Sequence, residues 1–393
     1  MNLANVNNRT LLCICMGLSL QMARAGSSLA DTAYCPARGN NWELRTPESV
    51  GMDSQHLDSA VRYALEHETS VSRDLGAYLA GRNTRPNEGT VGPTQPRGDM
   101  NGLILRDGYI VKEFGNTQRV DMTFSVTKSF LSTMAALALD EGLIEDVHDP
   151  VGQYVRDGNF DGEQNARITW HQLLRQTSEW QGTLWGKPDT ADRRKGKDRR
   201  LHDPGTFWEY NDVRVNLTSL ALLRIWQRAL PEVLAERVMQ PIGASDDWQW
   251  HGYRTSRLEI AGKSVESVSG GGHWGGGLWI ASRDQARFGL LFLRRGDWCG
   301  QRIFSADWVD MATEPGTVEP NYGYMWWVNT ENRMWADVPA AGYAARGHGG
   351  NIIWVYPGER LVVVIRWLDR NHVNEFLHQV VASLLDSDQE VAP

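Results

Sequence analysis

The chain has 393 residues, of which 41% are hydrophobic and 22% charged, a composition typical of an ordinary globular protein. This length suffices for one large domain or two smaller ones with a sizeable buried core. The formal net charge of −8 argues against nucleic acid as the principal partner.

The first 25 residues have the pattern of a secretory signal peptide. Arg9 precedes an apolar stretch over 11–20, and residues 23–25 form an Ala-Arg-Ala cleavage site. The apolar stretch is shorter than the roughly 20 residues that a spanning helix needs. We therefore expect export to the periplasm or medium, a mature chain 26–393 that forms one domain, and no integral membrane segment after signal removal. A disordered or short membrane-anchoring start is the alternative.

Signal removal would leave two cysteines, Cys35 and Cys299. Two cysteines of an exported protein can pair, but the sequence does not say whether these two approach each other, and both states stay open. The cysteine spacing offers no zinc site and there is no His-Glu-x-x-His motif, so we expect no metal and no other cofactor.

The first part of the chain carries signals for a helix, a loop and a hairpin. Residues 53–66 have apolar side chains at helical spacing, whereas 81–102 is rich in Gly, Pro, Asn and Thr and predicts an exposed loop. Residues 103–114 form two short β-runs around Asp107-Gly108, which predicts a hairpin.

The most informative motif is Ser125-Val-Thr-Lys128. Residues three apart on a helix share a face, so the Lys128 amine can reach the Ser125 hydroxyl and act as its base, provided that burial or neighbouring cations hold it partly neutral. The following residues, 129–139, are apolar nearly all round, which predicts a helix buried inside a large domain. An N-cap serine followed by a surface lysine is the alternative interpretation of the motif.

Helical periodicity dominates from Ser125 to about residue 235, with further helices predicted over 170–176 and 213–228. Between these two helices lies a run of six basic residues within 193–200. We interpret this basic run as a solvated loop, with steering of an anionic substrate as the lesser alternative.

Strand character returns towards the C-terminus. Glycine-opened apolar runs over 275–280 and 347–356, and a further run over 361–367, predict strands, and residues 371–385 predict a last helix. Strands at both ends of the chain with helices in the middle predict an α+β fold, in which one antiparallel sheet is built from both chain ends, flanked by helices, with an inserted mostly helical region over about 125–235.

Three segments together resemble the serine β-lactamase and penicillin-binding superfamily: Ser125-x-x-Lys128, Tyr210-Asn-Asp212 and His348-Gly349-Gly350. Within it the chain is similar to the class C β-lactamase-like branch, which includes DD-peptidases, family VIII carboxylesterases and 6-aminohexanoate-dimer hydrolases. The resemblance covers about residues 45–385 and implies a β-lactamase/transpeptidase-like fold.

The resemblance also implies roles for individual residues. Ser125 would be the acylated nucleophile, Lys128 the group that lowers its barrier, and Tyr210 a phenol that shuttles a proton when nearby cations depress its pKa. By analogy with the family, the backbone N–H groups of Asn351 and Ser125 would bind the oxyanion. Gly349 and Gly350 belong to the same predicted substrate-binding strand.

Two positions depart from the family pattern. Asp212 stands where the family usually has asparagine, so an amide becomes an acceptor-only carboxylate next to the substrate. His348 stands where β-lactamases and penicillin-binding proteins usually carry a lysine, and a neutral histidine is a poorer partner for a substrate carboxylate. Arg346 lies two residues upstream and is a possible replacement for that cation.

We therefore predict an exported serine hydrolase that cleaves a small-molecule ester or amide through a Ser125 acyl-enzyme. A β-lactamase or DD-peptidase with the same residues is the first alternative, and a catalytically silent penicillin-binding-like sensor or scaffold is the second. His273 could line the cleft, although a histidine in a loop is more often structural or solvated. The 17 tryptophans are numerous enough to line a hydrophobic pocket, but most are expected in the core and none is singled out as a binding residue.

Overall fold

A six-stranded antiparallel sheet joins the N-terminal and C-terminal parts of the chain. The computed structural model describes residues 34–39, 41–82 and 89–385. The strands of this main sheet are β1 (Asn101–Arg106), β2 (Tyr109–Phe114), β11 (Trp327–Val328), β12 (Tyr343–Gly347), β13 (Asn351–Tyr356) and β14 (Leu361–Arg366). Their order is β11-β12-β13-β14-β1-β2, so that β14 from the C-terminal part pairs with β1, with Ile104 opposite Val363.

Smaller sheets surround the main one. A four-stranded sheet has the order β3-β8-β6-β7, and its strands are β3 (Asp121–Met122), β6 (Gln249–Ile260), β7 (Lys263–Val268) and β8 (Gly277–Ile280). Two short ribbons are formed by β4 (Thr183–Leu184) with β5 (Lys187–Pro188), and by β9 (Asp297–Trp298) with β10 (Gln301–Arg302).

Helices occur along the whole of the described chain, and several of them pack on the main sheet. The helices are α1 (Ser54–Glu66), α2 (Leu75–Arg82), α3 (Thr127–Asp140), α4 (Gly162–Asn165), α5 (Trp170–Leu174), α6 (Asp212–Trp226), α7 (Leu230–Leu234), α8 (Ser282–Leu293), α9 (Ala306–Thr313) and α10 (Val373–Ala382). Short 3-10 turns that matter below are Phe124–Val126, Asp189–Asp192 and Arg370–His372. None of the helices in the described ranges has the length and apolar character needed to cross a bilayer.

The predicted α+β architecture is confirmed. The helix over 53–66 is α1, and the hairpin is β1–β2, in which Asp107 and Gly108 both take positive φ values of 55° and 90° as its tight turn requires. The predicted loop 81–102 is shorter than expected among the described residues, because α2 extends to Arg82 and β1 begins at Asn101.

Helix α3 is buried from Thr127 to Ala138, as its all-round apolar sequence predicts. Its Phe130 stacks on Phe288 of α8 with ring centroids 3.7 Å apart, which locks α3 beneath the main sheet. The turn that carries Ser125 is therefore fixed at the end of a rigid, desolvated helix.

The prediction of one strand over 347–356 is wrong in its first part. Strand β12 ends at Gly347 and β13 begins only at Asn351, because Gly349 and Gly350 both have positive φ, 78° and 72°, and so form a tight turn. His348 consequently lies in the β12–β13 turn instead of opening a strand.

Cys35 and Cys299 form a disulfide, which answers the question that the sequence left open. The bond ties the segment 34–39 to the β9–β10 ribbon, which follows α8. The predicted signal peptide lies outside the described residues.

Candidate active site

A cavity of about 730 Å³ opens between the N-terminal turn before α3, the loop ahead of α6 and the β12–β13 turn. Its walls combine aromatic rings, glycine backbone and charged groups. The lining residues are Leu79, Arg82, Phe124, Ser125, Asp192, Arg194, Trp208, Tyr210, Asp212, Gly271, His273, Trp327, Arg346, Gly347, His348, Gly349, Gly350, Ile352, Arg370 and Val373. Most of the sequence-predicted site residues are thus brought to one place.

Ser125 lies in the 3-10 turn that connects β3 to α3. Phe124, immediately before it, has a φ of 51°, a left-handed conformation that is strained for a bulky side chain. The turn packs closely against β12, since a Cβ on Gly347 would collide with the carbonyl oxygen of Thr123. A sharp, tightly packed turn of this kind holds Ser125 at the cavity wall, directly before the N-terminus of α3.

Lys128 connects Ser125 to Asp212. Its Nζ donates hydrogen bonds to Ser125 Oγ at 2.8 Å and to Asp212 Oδ1 at 2.6 Å, and both charged side chains are almost fully buried. Burial alone would lower the pKa of Lys128, but the negative charge of Asp212 outweighs it and raises that pKa above its usual value.

The expectation that Lys128 is partly neutral is therefore wrong for this structure. Burial raises and the Lys128 ammonium lowers the pKa of Asp212, with a net decrease, so the two groups form a buried ion pair. Asp212 is the counter-ion of Lys128, so its carboxylate is already paired and is not available as a free acceptor for a substrate amide.

The Tyr210 ring lies between two cations. Lys128 Nζ and the Arg194 guanidinium each lie 4.7 Å from the ring centroid, and the Trp327 ring packs beside it at 5.7 Å. Asn211, the neighbouring amide, points elsewhere: its Oδ1 caps α6 by accepting from Val213 N and Arg214 N.

The basic run 193–200 is not a solvated loop throughout, which corrects that interpretation. Arg193 is buried and paired with Asp189, and Arg199 bridges two buried carboxylates, Glu179 and Glu209. Arg194 enters the cavity, where Asp192 holds it through two hydrogen bonds of 3.1 Å. The run therefore anchors a loop on one side of the site.

Asp192 connects several parts of the site. Besides binding Arg194, its Oδ2 accepts the backbone N–H of Asp212 at 2.8 Å, and its Oδ1 lies 3.6 Å from Nδ1 of His273. His273, a candidate from the sequence, thus lines the cavity beside a buried carboxylate.

His348 lies in the cavity wall as a neutral side chain. Its Nε2 is 2.8 Å from the Tyr78 hydroxyl and 3.0 Å from Arg82 Nη1. Burial, followed by the positive charges of Arg82 and other cavity groups, lowers the pKa of His348 to about 4. At neutral pH, His348 does not provide the cation that the family lysine would supply.

Asn351 is not among the residues that line the cavity, and the role of its backbone N–H in binding the oxyanion stays a prediction. It is fully buried at the start of β13, where its Nδ2 donates to the His348 carbonyl at 2.6 Å and its Oδ1 accepts from Arg366 at 2.8 Å. Backbone from Gly347 to Gly350 lines the cavity instead. Asn351 follows the glycine turn directly and pairs with Gly347 across β12 and β13.

Sequence reasoning missed four charged residues of the cavity, namely Asp192, Arg194, Arg370 and Arg82. The basic run contained a signal for Arg194, but nothing in the sequence distinguished it from its neighbours. Arg82 and Arg370 reach the site from the end of α2 and the turn before α10, and only tertiary structure brings such distant elements together.

A serine hydrogen-bonded to a buried lysine beside a tyrosine, on an α+β fold of this topology, defines a serine hydrolase of the β-lactamase type. The chain belongs to the beta-lactamase family, whose model matches residues 116–377.

Individual relatives agree with this assignment. The chain is 26% identical over 285 residues to a 6-aminohexanoate-dimer hydrolase from Paenarthrobacter ureafaciens, an alignment that covers 67% of this chain and 70% of that protein. A penicillin-binding protein homologue from Caulobacter crescentus superimposes with a TM-score of 0.56 at 15% identity, covering 85% and 99% of the two chains. A family VIII carboxylesterase gives 0.55 at 17% identity with the same coverage. The last two likenesses concern the fold.

Proposed function

We propose that this protein hydrolyses small-molecule esters or amides through an acyl-enzyme on Ser125. The observation that carries the proposal is the hydrogen bond between Lys128 Nζ and Ser125 Oγ at the floor of a cavity. The similarity to the 6-aminohexanoate-dimer hydrolase supports an amide as the substrate. The likeness in fold to the carboxylesterase supports an ester.

In the acylation step, Ser125 Oγ attacks the substrate carbonyl carbon. Because Lys128 is held as a cation by Asp212, it orients Oγ by donating to it and is not the resting base. Tyr210, flanked by Lys128 and Arg194, relays the proton: its phenol oxygen accepts the proton from Ser125 Oγ while its own O–H proton passes to the leaving alcohol or amine. Negative charge on the carbonyl oxygen is stabilised by the backbone N–H groups of Ser125 and of Asn351, which directly follows the Gly349–Gly350 turn.

In the deacylation step, water attacks the acyl-Ser125 carbonyl by the reverse route. Tyr210 accepts a proton from the water and returns one to Ser125 Oγ, and the C–O bond of the acyl-enzyme breaks. The products are a carboxylic acid and the regenerated serine.

Labelling with an uncharged fluorophosphonate tests this proposal before a substrate is known. Peptide mapping by mass spectrometry should find a single adduct on Ser125, and none in Ser125→Ala. Ser129 and Ser132 follow on the same helix but are buried, so Ser132→Ala is a matched control that should label normally. An adduct on another serine, or full activity in Ser125→Ala, would contradict the assignment.

Hydrolysis of β-lactams is the rival activity. His348 is neutral at pH 7, which removes the lysine-like cation at that position, whereas Arg346 lines the cavity and keeps a fixed cation near the site. We rank esters and small amides first. Faster turnover of a chromogenic cephalosporin than of every para-nitrophenyl ester would reverse that ranking.

We also propose that the protein is exported. The Cys35–Cys299 disulfide supports an oxidising compartment, where such bonds persist. N-terminal sequencing of protein recovered from the periplasm or medium should begin at Gly26. Recovery of the full-length chain from the cytosol would contradict export.

A further inference from the structure

The proton relay of the proposed mechanism depends on where the Tyr210 hydroxyl lies. A group that transfers a proton must come within about 2.6–3.2 Å of its partner, and a displacement of about 1 Å can cost on the order of a hundredfold in rate. Tyr210 projects from the chain directly before Asn211, the N-cap of α6. The backbone on both sides of Tyr210 must therefore be held in place if its hydroxyl is to stay near Ser125.

Gln176 holds the backbone on both sides of Tyr210. Its carbonyl oxygen accepts the N–H of Glu209 at 3.1 Å, and its side-chain Oε1 accepts the N–H of Asn211 at 2.8 Å. Gln176 is 1% exposed, so both hydrogen bonds lie in a desolvated environment, where they are stronger than in water. One residue thus binds the chain immediately before and immediately after Tyr210.

The partners of the Gln176 amide determine its orientation. The Asn211 N–H can only donate, so the amide oxygen must face it and the amide nitrogen must face the other side. There Nε2 donates to the Tyr322 hydroxyl at 2.8 Å, while the neighbouring Arg175 donates to the Tyr322 carbonyl at 3.2 Å. Tyr322 is fully buried, and its ring meets the Tyr210 ring edge-on with centroids 6.0 Å apart. Gln176, Tyr322 and Tyr210 therefore form one connected unit.

The backbone conformation of Gln176 is unusual for a residue with a side chain. Gln176 follows the end of α5 with a φ of 55°, in the left-handed region, where a glycine is the common residue after a helix. Such a conformation persists only where the surrounding structure determines it, and it is frequent at functional sites. A glycine would relieve the backbone but would lack the amide that binds the Asn211 N–H.

We propose that Gln176 is a positioning residue for Tyr210, and that its two hydrogen bonds to the chain keep the phenol where it can relay the Ser125 proton. This inference rests on the proposed Ser125 hydrolysis and adds a residue on which that reaction depends. Gln176 is not among the residues that line the cavity, so it acts through Tyr210 and not on the substrate.

Gln176→Met tests the proposal, because methionine has a similar length but offers no oxygen to the Asn211 N–H. With para-nitrophenyl butyrate, we expect kcat to fall about tenfold or more and KM to change by less than about threefold, since the relay is displaced while the cavity wall is kept. Gln176→Glu should retain more activity than Gln176→Met, because a carboxyl oxygen can still accept that N–H.

Gln285→Met is the matched control. Gln285 lies in α8 and is as buried as Gln176, but its side-chain amide forms no hydrogen bond with the described residues. The same chemical change at this position should leave kcat at its native value. Thermal unfolding of each variant ensures that rates are compared between folded proteins.

A double-mutant cycle with Tyr210→Phe distinguishes a positioning role from a general loss of structure. Because Tyr210→Phe removes the hydroxyl that Gln176 is proposed to position, Gln176→Met should cost less than about twofold further in that background. If Gln176→Met does not fold, Tyr322→Phe replaces it in the same cycle, since that variant removes only the hydroxyl that orients the Gln176 amide.

The outcomes separate this inference from the proposed function. If no ester is hydrolysed above the Ser125→Ala rate and Ser125 is not labelled, the hydrolase function fails. If the native protein is active but Gln176→Met keeps the native kcat, or loses no more than Gln285→Met, the positioning role is wrong and the hydrolase function stands. The same conclusion follows if the full loss from Gln176→Met recurs in the Tyr210→Phe background.

Discussion

At the scale of single residues, the departure from the family pattern at Asp212 changes the charge state of the site. An asparagine there would leave Lys128 buried without a counter-ion, and burial would then favour the neutral amine. With Asp212, the lysine is a buried cation that donates to Ser125 Oγ. In the proposed mechanism, Tyr210 is therefore the group that accepts the Ser125 proton.

The variant Asp212→Asn tests whether Asp212 keeps Lys128 in its charged form. In the native protein the pKa of Lys128 is raised, so the ammonium persists to high pH; without the Asp212 charge that pKa falls, because burial is no longer opposed. We expect the alkaline limb of the kcat/KM profile to shift to lower pH and the rate at pH 8 to fall by about tenfold or more.

The control for this prediction is Asp246→Asn, which removes an exposed carboxylate paired with Arg38 at 3.0 Å. It should leave the profile unchanged, because exposed ion pairs contribute little. An Asp212→Asn profile that coincides with the native one would mean that the ion pair does not set the charge of Lys128.

At the scale of elements, the loop that leads into α6 acts as a brace. Arg193 forms an ion pair with Asp189, and Arg199 forms one with Glu179. This buried charge network fixes the turn from which Asp192 reaches the site. Asp192 then holds Arg194 against the Tyr210 ring and accepts the Asp212 N–H. Asp192 is therefore a positioning residue that acts through its neighbours.

Asp192→Asn should remove the ion pair with Arg194, while the amide oxygen of the new side chain can still accept the Asp212 N–H. We expect kcat to fall by on the order of tenfold with a smaller change in KM, because Tyr210 loses its flanking cation while the rest of the cavity is kept. Asp198→Asn, an exposed position in the same loop, is the matched control. Equal effects of the two variants, or a change confined to KM, would contradict the positioning role.

The elements also show which parts of the fold the sequence could predict. Buried helix α3, hairpin β1–β2 and strand β14 have local patterns, namely an all-apolar run, an Asp-Gly turn and a β-branched stretch, and each lies where it was predicted. The β12–β13 turn was mistaken for a strand because an apolar run opened by glycines fits both, and only the pairing of Gly347 with Asn351 decides between them. The basic run was misread because its acidic partners Glu179 and Glu209 lie outside it.

For the whole molecule, the same distinction between local and long-range information holds for the site. Ser125 and Lys128 are three residues apart, so their contact follows from helix geometry. Arg82, Arg346 and Arg370 come from separate elements, and no periodicity relates them. The chemistry was therefore predictable from motifs, whereas the positive charge that lines the cavity required the fold.

The disulfide is the clearest long-range constraint on the whole chain. Cys35 and Cys299 are 264 residues apart with Cα atoms 5.7 Å from each other, and Arg287 of α8 reinforces the same attachment by donating to the Gly39 carbonyl at 2.8 Å. A bond that closes so long a loop restricts the unfolded chain strongly. It should therefore stabilise the fold without touching the cavity, since no lining residue lies in either tethered segment.

Cys35→Ser and Cys299→Ser should each lower the free energy of unfolding by about 2–5 kcal/mol in urea titrations, while kcat for a para-nitrophenyl ester stays at its native value. The double variant is the internal control: the bond is lost only once, so it should be no less stable than the worse single variant. The native protein treated with a reductant should approach the same stability. Two results would contradict this role of the disulfide: a loss of unfolding free energy in the double variant that equals the sum of the two single losses, or a native protein whose stability does not change with reductant. Either result would show that each cysteine contributes through its packing and not through a bond.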